Sequence, residues 1–302
     1  MHNISKRFGG TAALEGVSIE LYPGEAHILA GENGAGKSTL IKILCGVYSE
    51  YAGRIVLENR PVKFSSPQDA ARHGIAAIHQ ELSLIPAMSV SDNIFLGREK
   101  MKKNGTVDFS AQTIASQKIL KRLGIDGVDV HRPVEEYPIS IMQMIEIAKA
   151  LSMNSRIIIM DEPTSALTEP EVNKLFETIS ALKLQGHAII YITHKMEEIY
   201  KIGDRITVLR DGRFVAAAPI ADMARNALIR NMVGRELNEQ IQRRSKVCAE
   251  ELFRVENLDI ADPQGNRNLV NDVSFSARKG EILGIAGLQG SGASELLNGI
   301  FG

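Results

Sequence analysis

The chain has 302 residues, of which 44% are hydrophobic and 24% are charged, and its formal net charge is −1. A chain this close to neutrality offers no basic field for nucleic acid or acidic lipid. Its two cysteines are too few for a disulfide framework or a zinc cluster, and no apolar run approaches the roughly 20 residues that cross a bilayer. We therefore expect a protein of a reducing cytosol that meets a membrane only through a partner.

The first distinctive element in chain order is a glycine-rich loop between a strand and a helix. The letters AHILA predict a short buried strand, GENGAGKS forms the loop, and KSTLIKILC predicts a helix. Gly31, Gly36, Lys37 and Ser38 match the spacing G-x-x-x-x-G-K-[ST] in the context that this motif requires. Backbone N–H groups and the helix start can then bind phosphates, Lys37 can reach the β and γ oxygens, and Ser38 can ligate Mg²⁺. The flanking strand and helix disfavour the alternative of a simple turn with a surface lysine.

Polar residues end three later strands. Gln80 follows the strand in AAIHQELSLIP, Asp161 and Glu162 close IIIMDEP, and His194 closes YITHKMEEI. An acidic pair at a strand end can hold Mg²⁺ and polarise a water, but it can equally cap a helix that Pro163 opens. A lone glutamine or histidine there is more often structural.

The predicted elements indicate how these residues are arranged. Strands alternate with helices, which predicts an α/β fold with a mostly parallel sheet. The stretch 81–151 is mostly helical and predicts an inserted helical subdomain. Because parallel strands end at one edge of a sheet, the four motifs are expected to converge on one phosphate site.

The chain contains a long internal repeat. GVSIELYPGEAHILAGENGAGKSTLIKILCG matches DVSFSARKGEILGIAGLQGSGASELLNGIFG at a constant offset of 256, and Ala293 stands where the first copy has Lys37. We expect a first domain over 1–233, a polar linker over 234–250 and the start of a second domain over 251–302. The letters ELFRVENLDI predict a strand whose equivalent in copy one would precede Met1. Both ends are thus expected to be truncated, as in a fragment of a two-domain protein or an alternative start and stop.

The order of these motifs resembles the nucleotide-binding subunit of ABC transporters. The stretches HQELSLIPAMSVSDNIFLGRE, DEPTSALTEPEVNKLF, ITHKMEEIYKIGDRITVLRDG and MVGREL are similar, more narrowly, to the tandem ATPase subunits of bacterial monosaccharide importers. The resemblance covers essentially the whole chain. It implies a P-loop ABC-type ATPase fold with a mostly parallel sheet core, an antiparallel β part and an inserted helical subdomain.

The resemblance also implies cofactors, partners and a location. The cofactors are ATP and Mg²⁺, and the partners are membrane permease subunits and, indirectly, a sugar-binding protein. Two nucleotide-binding domains face each other head to tail, so the second domain is a further partner. The implied location is cytoplasmic and peripheral, on the inner face of the cell membrane.

Individual site residues follow from the same resemblance. Glu162 is the implied catalytic base, His194 holds the γ-phosphate, and Gln80 senses Mg²⁺ and the permease. The segment Ser165 to Thr168 would contact the other domain, and Phe8 would stack on adenine unless it packs in the core. The implied metal ligands are Ser38, Gln80 and Asp161. The implied nucleotide-binding residues are Phe8, Gly31, Asn33, Gly34, Ala35, Gly36, Lys37, Ser38 and Thr39.

One motif departs from the family. Leucine-serine-x-glycine-glutamine normally opens a helix there, whereas this chain has Tyr137, Pro138, Ile139, Ser140 and Ile141. Proline supplies neither hydroxyl nor N–H, and serine replaces the glycine that permits close approach to a phosphate. The spacing of Ser140 and Gln143 matches a capping box for the following helix. In a head-to-tail pair this signature faces the loop that carries Ala293, so one composite site is expected to bind ATP weakly.

The expected function is an ATPase subunit that couples Mg·ATP binding and hydrolysis to sugar uptake through a separate permease. The alternative is a twin-cassette ATPase that acts on the ribosome or nucleic acid, which should carry strongly basic segments and intact signatures. Neither feature is seen in this sequence, so no nucleic-acid partner is expected. A third possibility, a binding-only pseudo-ATPase, is opposed by the presence of Lys37, Asp161, Glu162 and His194.

Overall fold

The computed structural model describes residues 1–79, 82–165, 167–234, 250–262, 268–287 and 290–301. The chain divides into two compact units, Met1–Glu236 and Leu237–Gly302, called here the first and second units. Several positions singled out in the sequence lie outside the described residues, namely Gln80, Glu81, Ala166 and most of the expected linker.

The strands have the following bounds. They are β1 His2–Phe8, β2 Thr11–Val17, β3 Ala26–Ala30, β4 Ala52–Leu57, β5 Arg60–Val62, β6 Ile75–Ile78, β7 Ile157–Asp161, β8 Ala188–Ile192, β9 Arg205–Arg210, β10 Arg213–Pro219, β11 Glu251–Ala261 and β12 Asn268–Arg278.

The helices are separated from one another by these strands or by loops. They are α1 Lys37–Leu44, α2 Pro67–Arg72, α3 Val90–Phe95, α4 Phe109–Arg122, α5 Ile139–Ser152, α6 Glu169–Leu184, α7 Met196–Ile202, α8 Arg225–Val233 and α9 Ala293–Phe301.

The central sheet of the first unit has the strand order β10-β9-β3-β8-β7-β6. The five strands from β9 to β6 run parallel, and β10 pairs antiparallel with β9. Every residue of β3 and β8 is buried, as expected for strands covered on both faces. A second sheet, of order β2-β1-β4-β5, is antiparallel throughout. The predicted α/β fold with a mostly parallel core and an antiparallel part is confirmed.

Helices cover both faces of the central sheet. Because side chains alternate along a strand, Ile28 and Tyr191 belong to the core cluster that includes α5 and α6. Their neighbours Leu29 and Ile190 belong to the opposite cluster, with the apolar side of α1. Between residues 81 and 151, α3, α4 and most of α5 supply the expected helices, and α3 packs against both α4 and α5. These two cores hold the strands in a fixed order, so the positions of their carboxyl ends are fixed as well.

The capping box expected at the start of α5 is wrong. Pro138 is the N-cap residue, with φ −58° and ψ 155°, and no side chain caps the helix. Helical dihedral angles therefore begin at Ile139, and Ser140 lies inside the first turn, where its hydroxyl cannot serve as the cap. A capping box forms instead at α6, where the Glu171 carboxylate accepts hydrogen bonds from the backbone N–H (2.8 Å) and the hydroxyl (2.9 Å) of Thr168.

In the second unit, β11 and β12 form an antiparallel ribbon and α9 follows it. The strand predicted from ELFRVENLDI is present as β11. Residues 281–287, which the repeat aligns with the region of β3, form no strand. β3 is a central strand that bonds to β8 and β9, and the described residues of the second unit offer no such neighbours.

Candidate functional site

Two cavities of the first unit lie at opposite ends of the parallel strands. The larger, about 870 Å³, reaches the amino ends of β6, β7 and β8 and is largely apolar. The smaller, about 380 Å³, lies at the carboxyl ends, where open α/β sheets bind their ligands. We take the smaller cavity as the candidate site because most residues of the glycine-rich loop and the acidic pair line it, although Gly31 and His194 are not among the lining residues. Its lining is Ala13, Asn33, Gly34, Ala35, Gly36, Lys37, Ser38, Thr39, Asp161, Glu162 and Ile192.

The glycine-rich loop connects β3 directly to α1. Gly34 and Gly36 have φ values of +86° and +98°, which residues other than glycine rarely adopt. A Cβ on Gly36 would lie 2.8 Å from the carbonyl oxygen of Ala13, whereas a Cβ on Gly34 would meet nothing within 4 Å. Gly36 thus packs the loop against the backbone, and Gly34 borders open space. The first N–H groups of α1 have no acceptors within the helix, so the loop presents donors to an anion.

Lys37, the first residue of α1, lies across the loop that precedes it. Its ammonium donates hydrogen bonds to the carbonyl oxygens of Gly31 (2.7 Å) and Glu32 (3.0 Å). Burial lowers the pKa of this ammonium, and the negative charges of Asp161 and Glu162 oppose that shift. The site therefore holds a half-buried cation close to two carboxylates.

Asp161 is the last residue of β7 and pairs with Ile192 of β8. Burial, and then the neighbouring charge of Glu162, raise the pKa of the Asp161 carboxyl, whereas His79 and Lys37 act in the opposite direction. A cation bound in the cavity would relieve both unfavourable effects, because it would attract the ionised carboxylate.

Glu162 has an unusual backbone. Its φ is +45°, and left-handed backbone costs a residue other than glycine about 1 to 2 kcal/mol. Its N–H donates to the carbonyl oxygen of Ile192 (3.0 Å), and its own carbonyl accepts from the N–H of Ser165 (3.2 Å). The carboxylate Oε1 lies 2.9 Å from Nδ1 of His194. The strained turn thus brings Glu162 and His194 together.

For the acidic pair and for Phe8, the sequence left a purely structural alternative open. The acidic pair does not cap a helix opened by Pro163, because α6 begins at Glu169. Phe8 lies outside the core, since 42% of it is exposed, and its ring meets Tyr48 edge-on at 5.2 Å. Phe8 is not among the residues that line the cavity.

Sequence reasoning missed a buried group close to the site. Glu198 in α7 is only 5% exposed and bonds to side chains beside Glu162 and His194. Glu197 and Glu198 look alike in the sequence, but only Glu198 shares the buried side of α7 with Ile199 and Ile202. The spacing of Glu198 relative to Ile199 and Ile202 along a helix was the sequence signal that could have indicated its burial.

No helix among the described residues is long and apolar enough to span a bilayer.

Comparisons with known proteins extend these observations. Residues 14–165 match the family model described as ABC transporter. The ribose import ATP-binding protein RbsA of Geobacillus kaustophilus (strain HTA426) is 46% identical over 303 residues, with 100% of this chain and 60% of the relative covered. RbsA 1 of Rubrobacter xylanophilus is 48% identical, with 100% and 59% covered. The chain thus spans about 60% of the length of these relatives.

Solved structures agree with the fold. The ADP conformation of MJ1267, described as an ATP-binding cassette of an ABC transporter, superposes with a TM-score of 0.68 at 26% identity. The match covers 78% of this chain and 97% of that one. With the family model matched over residues 14–165 and the glycine-rich loop facing Asp161 and Glu162 across one cavity, the chain belongs to the ABC transporter family.

Proposed function

We propose that this chain binds ATP together with Mg²⁺ and hydrolyses it to drive sugar import through a separate membrane permease. The observation that carries the proposal is the convergence of the glycine-rich loop, Asp161 and Glu162 on one cavity of about 380 Å³. Phosphates need many donors and positive charge, and the loop with α1 and Lys37 supplies both.

In this proposal the loop residues and Lys37 hold the phosphates of ATP. Lys37 turns from the loop carbonyls toward the β and γ oxygens, a short movement because the ammonium already lies over the loop. Phe8, exposed and backed by Tyr48, offers a ring face to adenine.

The residues of the cavity fit Mg²⁺. The Ser38 hydroxyl and the Asp161 carboxylate are oxygen ligands that line the same space. Among the described residues there is no group of three or more acidic, histidine or cysteine side chains that could hold a metal. Mg²⁺ commonly binds through one or two protein ligands and substrate phosphates, so this sparse donor set suits it. We propose Gln80, outside the described residues, as a further ligand.

Hydrolysis requires a base beside the γ-phosphate. Glu162 is proposed to accept the proton of the attacking water, and the bound Mg²⁺ would neutralise charge that develops on the phosphate oxygens. His194 is held 2.9 Å from the Glu162 carboxylate and is proposed to donate a hydrogen bond to the γ-phosphate. The strained backbone of Glu162 supports this role, because such strain commonly occurs at functional sites.

The proposed domain organisation follows the repeat. We assign 1–233 to a first nucleotide-binding domain, 234–250 to a linker and 251–302 to the start of a second domain. Pro138 supplies neither hydroxyl nor N–H at the start of α5, and Ala293 replaces the loop lysine of the first copy, so these two segments are proposed to bind ATP weakly. Segment 165–168 is proposed to contact the second domain.

The proposed partners are a membrane permease and, through it, a sugar-binding protein. Relatives named as ribose import ATP-binding proteins support this assignment. A cytoplasmic, peripheral position on the inner face of the membrane is proposed with it. These names give no support to the ribosome or nucleic-acid alternative.

Calorimetric titration of the chain with Mg·ATP tests the core of the proposal. About one ATP should bind, Asp161→Asn should weaken binding in Mg²⁺ more than in EDTA, and Asp126→Asn at an exposed position should change neither. An absence of binding at millimolar ATP would refute the proposal. Transport of labelled ribose into vesicles that contain the full-length relative and its permease, with the matching 60% of the relative replaced by this chain, tests the coupling to import.

A further inference from the structure

Glu198 is a buried carboxylate to which the proposed mechanism gives no role. It is only 5% exposed. Its Oε1 accepts a hydrogen bond from the Thr164 hydroxyl (2.6 Å), and its Oε2 accepts from the hydroxyls of Tyr191 (2.9 Å) and Thr193 (2.9 Å). The ammonium of Lys195 lies 3.2 Å from Oε1. Both carboxylate oxygens therefore have partners. Oε1 binds the segment that contains Thr164, and Oε2 binds the segment that contains Tyr191 and Thr193.

The network surrounds the Glu198 carboxyl group with hydrogen-bond donors. A buried carboxyl group is costly unless it is paired and hydrogen-bonded. Burial, and then the charge of Glu198, raise the pKa of Tyr191, so its hydroxyl remains a donor. Glu198 is thus a fixed acceptor on which three hydroxyl donors converge.

The donors lie next to the proposed catalytic residues. Thr164 follows Glu162 by two residues in the turn after β7, and Thr193 directly precedes His194 after β8. Oε1 therefore holds the turn that carries Glu162, while Oε2 holds the segment that carries His194. Both bonds are buried, so water does not compete for them.

A second link runs parallel to this one. The ammonium of Lys195 donates to the backbone carbonyl (3.1 Å) and the hydroxyl (3.1 Å) of Thr164, in addition to its ion pair with Glu198. Since Lys195 is the residue after His194, it too joins the two segments. The Lys195 side chain is 43% exposed, so water can compete for its hydrogen bonds, whereas the bonds of Glu198 to Thr164 and Thr193 are buried.

The backbone of Glu162 explains why such a link is needed. Left-handed backbone at a glutamate persists only where the surroundings hold it. The bond from Thr164 to Glu198 fixes the turn two residues further along, which keeps the Glu162 carboxylate directed at His194.

We propose that Glu198 is a positioning residue that keeps Glu162 beside His194 by holding Thr164 with one oxygen and Thr193 with the other. The inference rests on the proposed function for its consequence, which is the arrangement of the two residues around the γ-phosphate. The positioning itself can be measured without nucleotide.

Glu198→Gln is the informative variant, and Glu197→Gln is its matched control. A carboxamide keeps only one of the two acceptor oxygens, so one of the two links must reverse its direction, with the amide nitrogen donating to a hydroxyl that previously donated. That reversal should weaken the link. Glu197 is the exposed neighbour on the same helix, and its substitution leaves both links intact. Glu198→Asp retains two acceptor oxygens and should fall between the wild type and Glu198→Gln.

The first readout is the nitrogen NMR spectrum of the His194 ring, with Glu162→Ala as the reference for a lost contact. Glu198→Gln should shift the His194 resonances in the same direction as Glu162→Ala, whereas the resonances of the exposed His73 should be unchanged in both. If Glu198→Gln does not fold, Thr164→Val removes one link at similar volume and carries the same expectation. Wild-type His194 resonances in a folded Glu198→Gln, or in Thr164→Val, would overturn the proposal.

The second readout is nucleotide discrimination. Glu198→Gln should keep ADP affinity within about twofold and lose ATP affinity by about tenfold, which is the size of one charge-assisted hydrogen bond to the γ-phosphate. Equal losses for ATP and ADP would contradict a role at the γ-phosphate. A wild-type chain that binds no ATP would refute the proposed function, while the NMR result would still decide whether Glu198 positions His194.

Discussion

Replacement of Lys37 by alanine should separate phosphate binding from folding. The Lys37 ammonium is held over the glycine-rich loop by the carbonyl oxygens of Gly31 and Glu32, at 2.7 and 3.0 Å. Burial lowers its pKa, so the protein holds this charge in an environment that disfavours it. Its removal should therefore cost the fold little and cost phosphate binding much.

The expected loss of ATP affinity can be worked out from the contacts that Lys37 gives up and gains when ATP binds. Two hydrogen bonds to neutral carbonyls are replaced by contacts with charged phosphate oxygens, and one charge-assisted hydrogen bond is worth about 1.5 to 3 kcal/mol. The loss of one such contact corresponds to a roughly 10- to 150-fold weaker affinity. Carbonyl oxygens freed at the loop can bind water, so the thermal midpoint should change by less than about 2 °C, which is under 1 kcal/mol for a domain of this size.

Calorimetric titration with Mg·ATP and thermal unfolding by circular dichroism are the assays. Lys42→Ala is the matched control, because Lys42 lies on the exposed side of the same helix and does not line the cavity. The control should retain wild-type affinity. An affinity loss below threefold for Lys37→Ala would refute the reasoning, and so would a loss accompanied by an equally large drop in the thermal midpoint.

Three further predictions concern the base, the loop and a buried histidine. Glu162→Gln should bind ATP normally but stop phosphate release in the assembled protein, because the carboxylate is needed when water attacks; normal turnover would show that another group is the base. Gly34→Ala and Gly36→Ala should each lower the free energy of unfolding by about 1 to 2 kcal/mol, because alanine is strained in left-handed backbone. Gly36→Ala should lose about 1 to 3 kcal/mol more, because its Cβ would contact the Ala13 carbonyl. Equal urea midpoints for the two variants would disprove this difference. Burial lowers the pKa of His27 from 6.5 to about 4, so the unfolded chain binds the proton first, and about 3 kcal/mol of stability should be lost as pH falls from 6.5 to 4. The free energy of unfolding in urea, measured at pH 7.5 and at pH 4.5, should differ less for His27→Gln than for the wild type. An equal difference in the two proteins would exclude His27 as the cause of the stability loss.

The local parts of the site could be predicted from the sequence. A strand, a glycine-rich loop and a helix follow one another within 19 residues, and each is encoded by short-range preferences: buried apolar letters, glycines with positive φ, and a helix start. Asp161 was assigned to a strand end for the same reason, since a run of isoleucines ends there. Errors at this level were also local, as at α5, where Pro138 rather than Ser140 starts the helix.

Convergence of the site could be predicted only in outline. The sequence predicts that the carboxyl ends of the parallel strands lie at the same edge of the sheet. However, β3, β7 and β8 are all short and apolar, so the sequence does not show in which order they lie in the sheet. Packing of α1 on one face and of α5 and α6 on the other decides that β8 lies between β3 and β7. That order brings Glu162 within 2.9 Å of His194.

The glycine-rich loop, the acidic strand end, the alternating α/β pattern and the internal repeat could all be predicted from the sequence, because each depends on neighbours along the chain. The order of the strands, the left-handed backbone of Glu162, and the burial of Glu198 rather than Glu197 became visible only in the folded chain. These features depend on contacts between residues distant in sequence. Thr164 and Glu198 are 34 residues apart, yet a 2.6 Å hydrogen bond joins them because β7 and β8 end side by side and α7 packs its buried side beneath them.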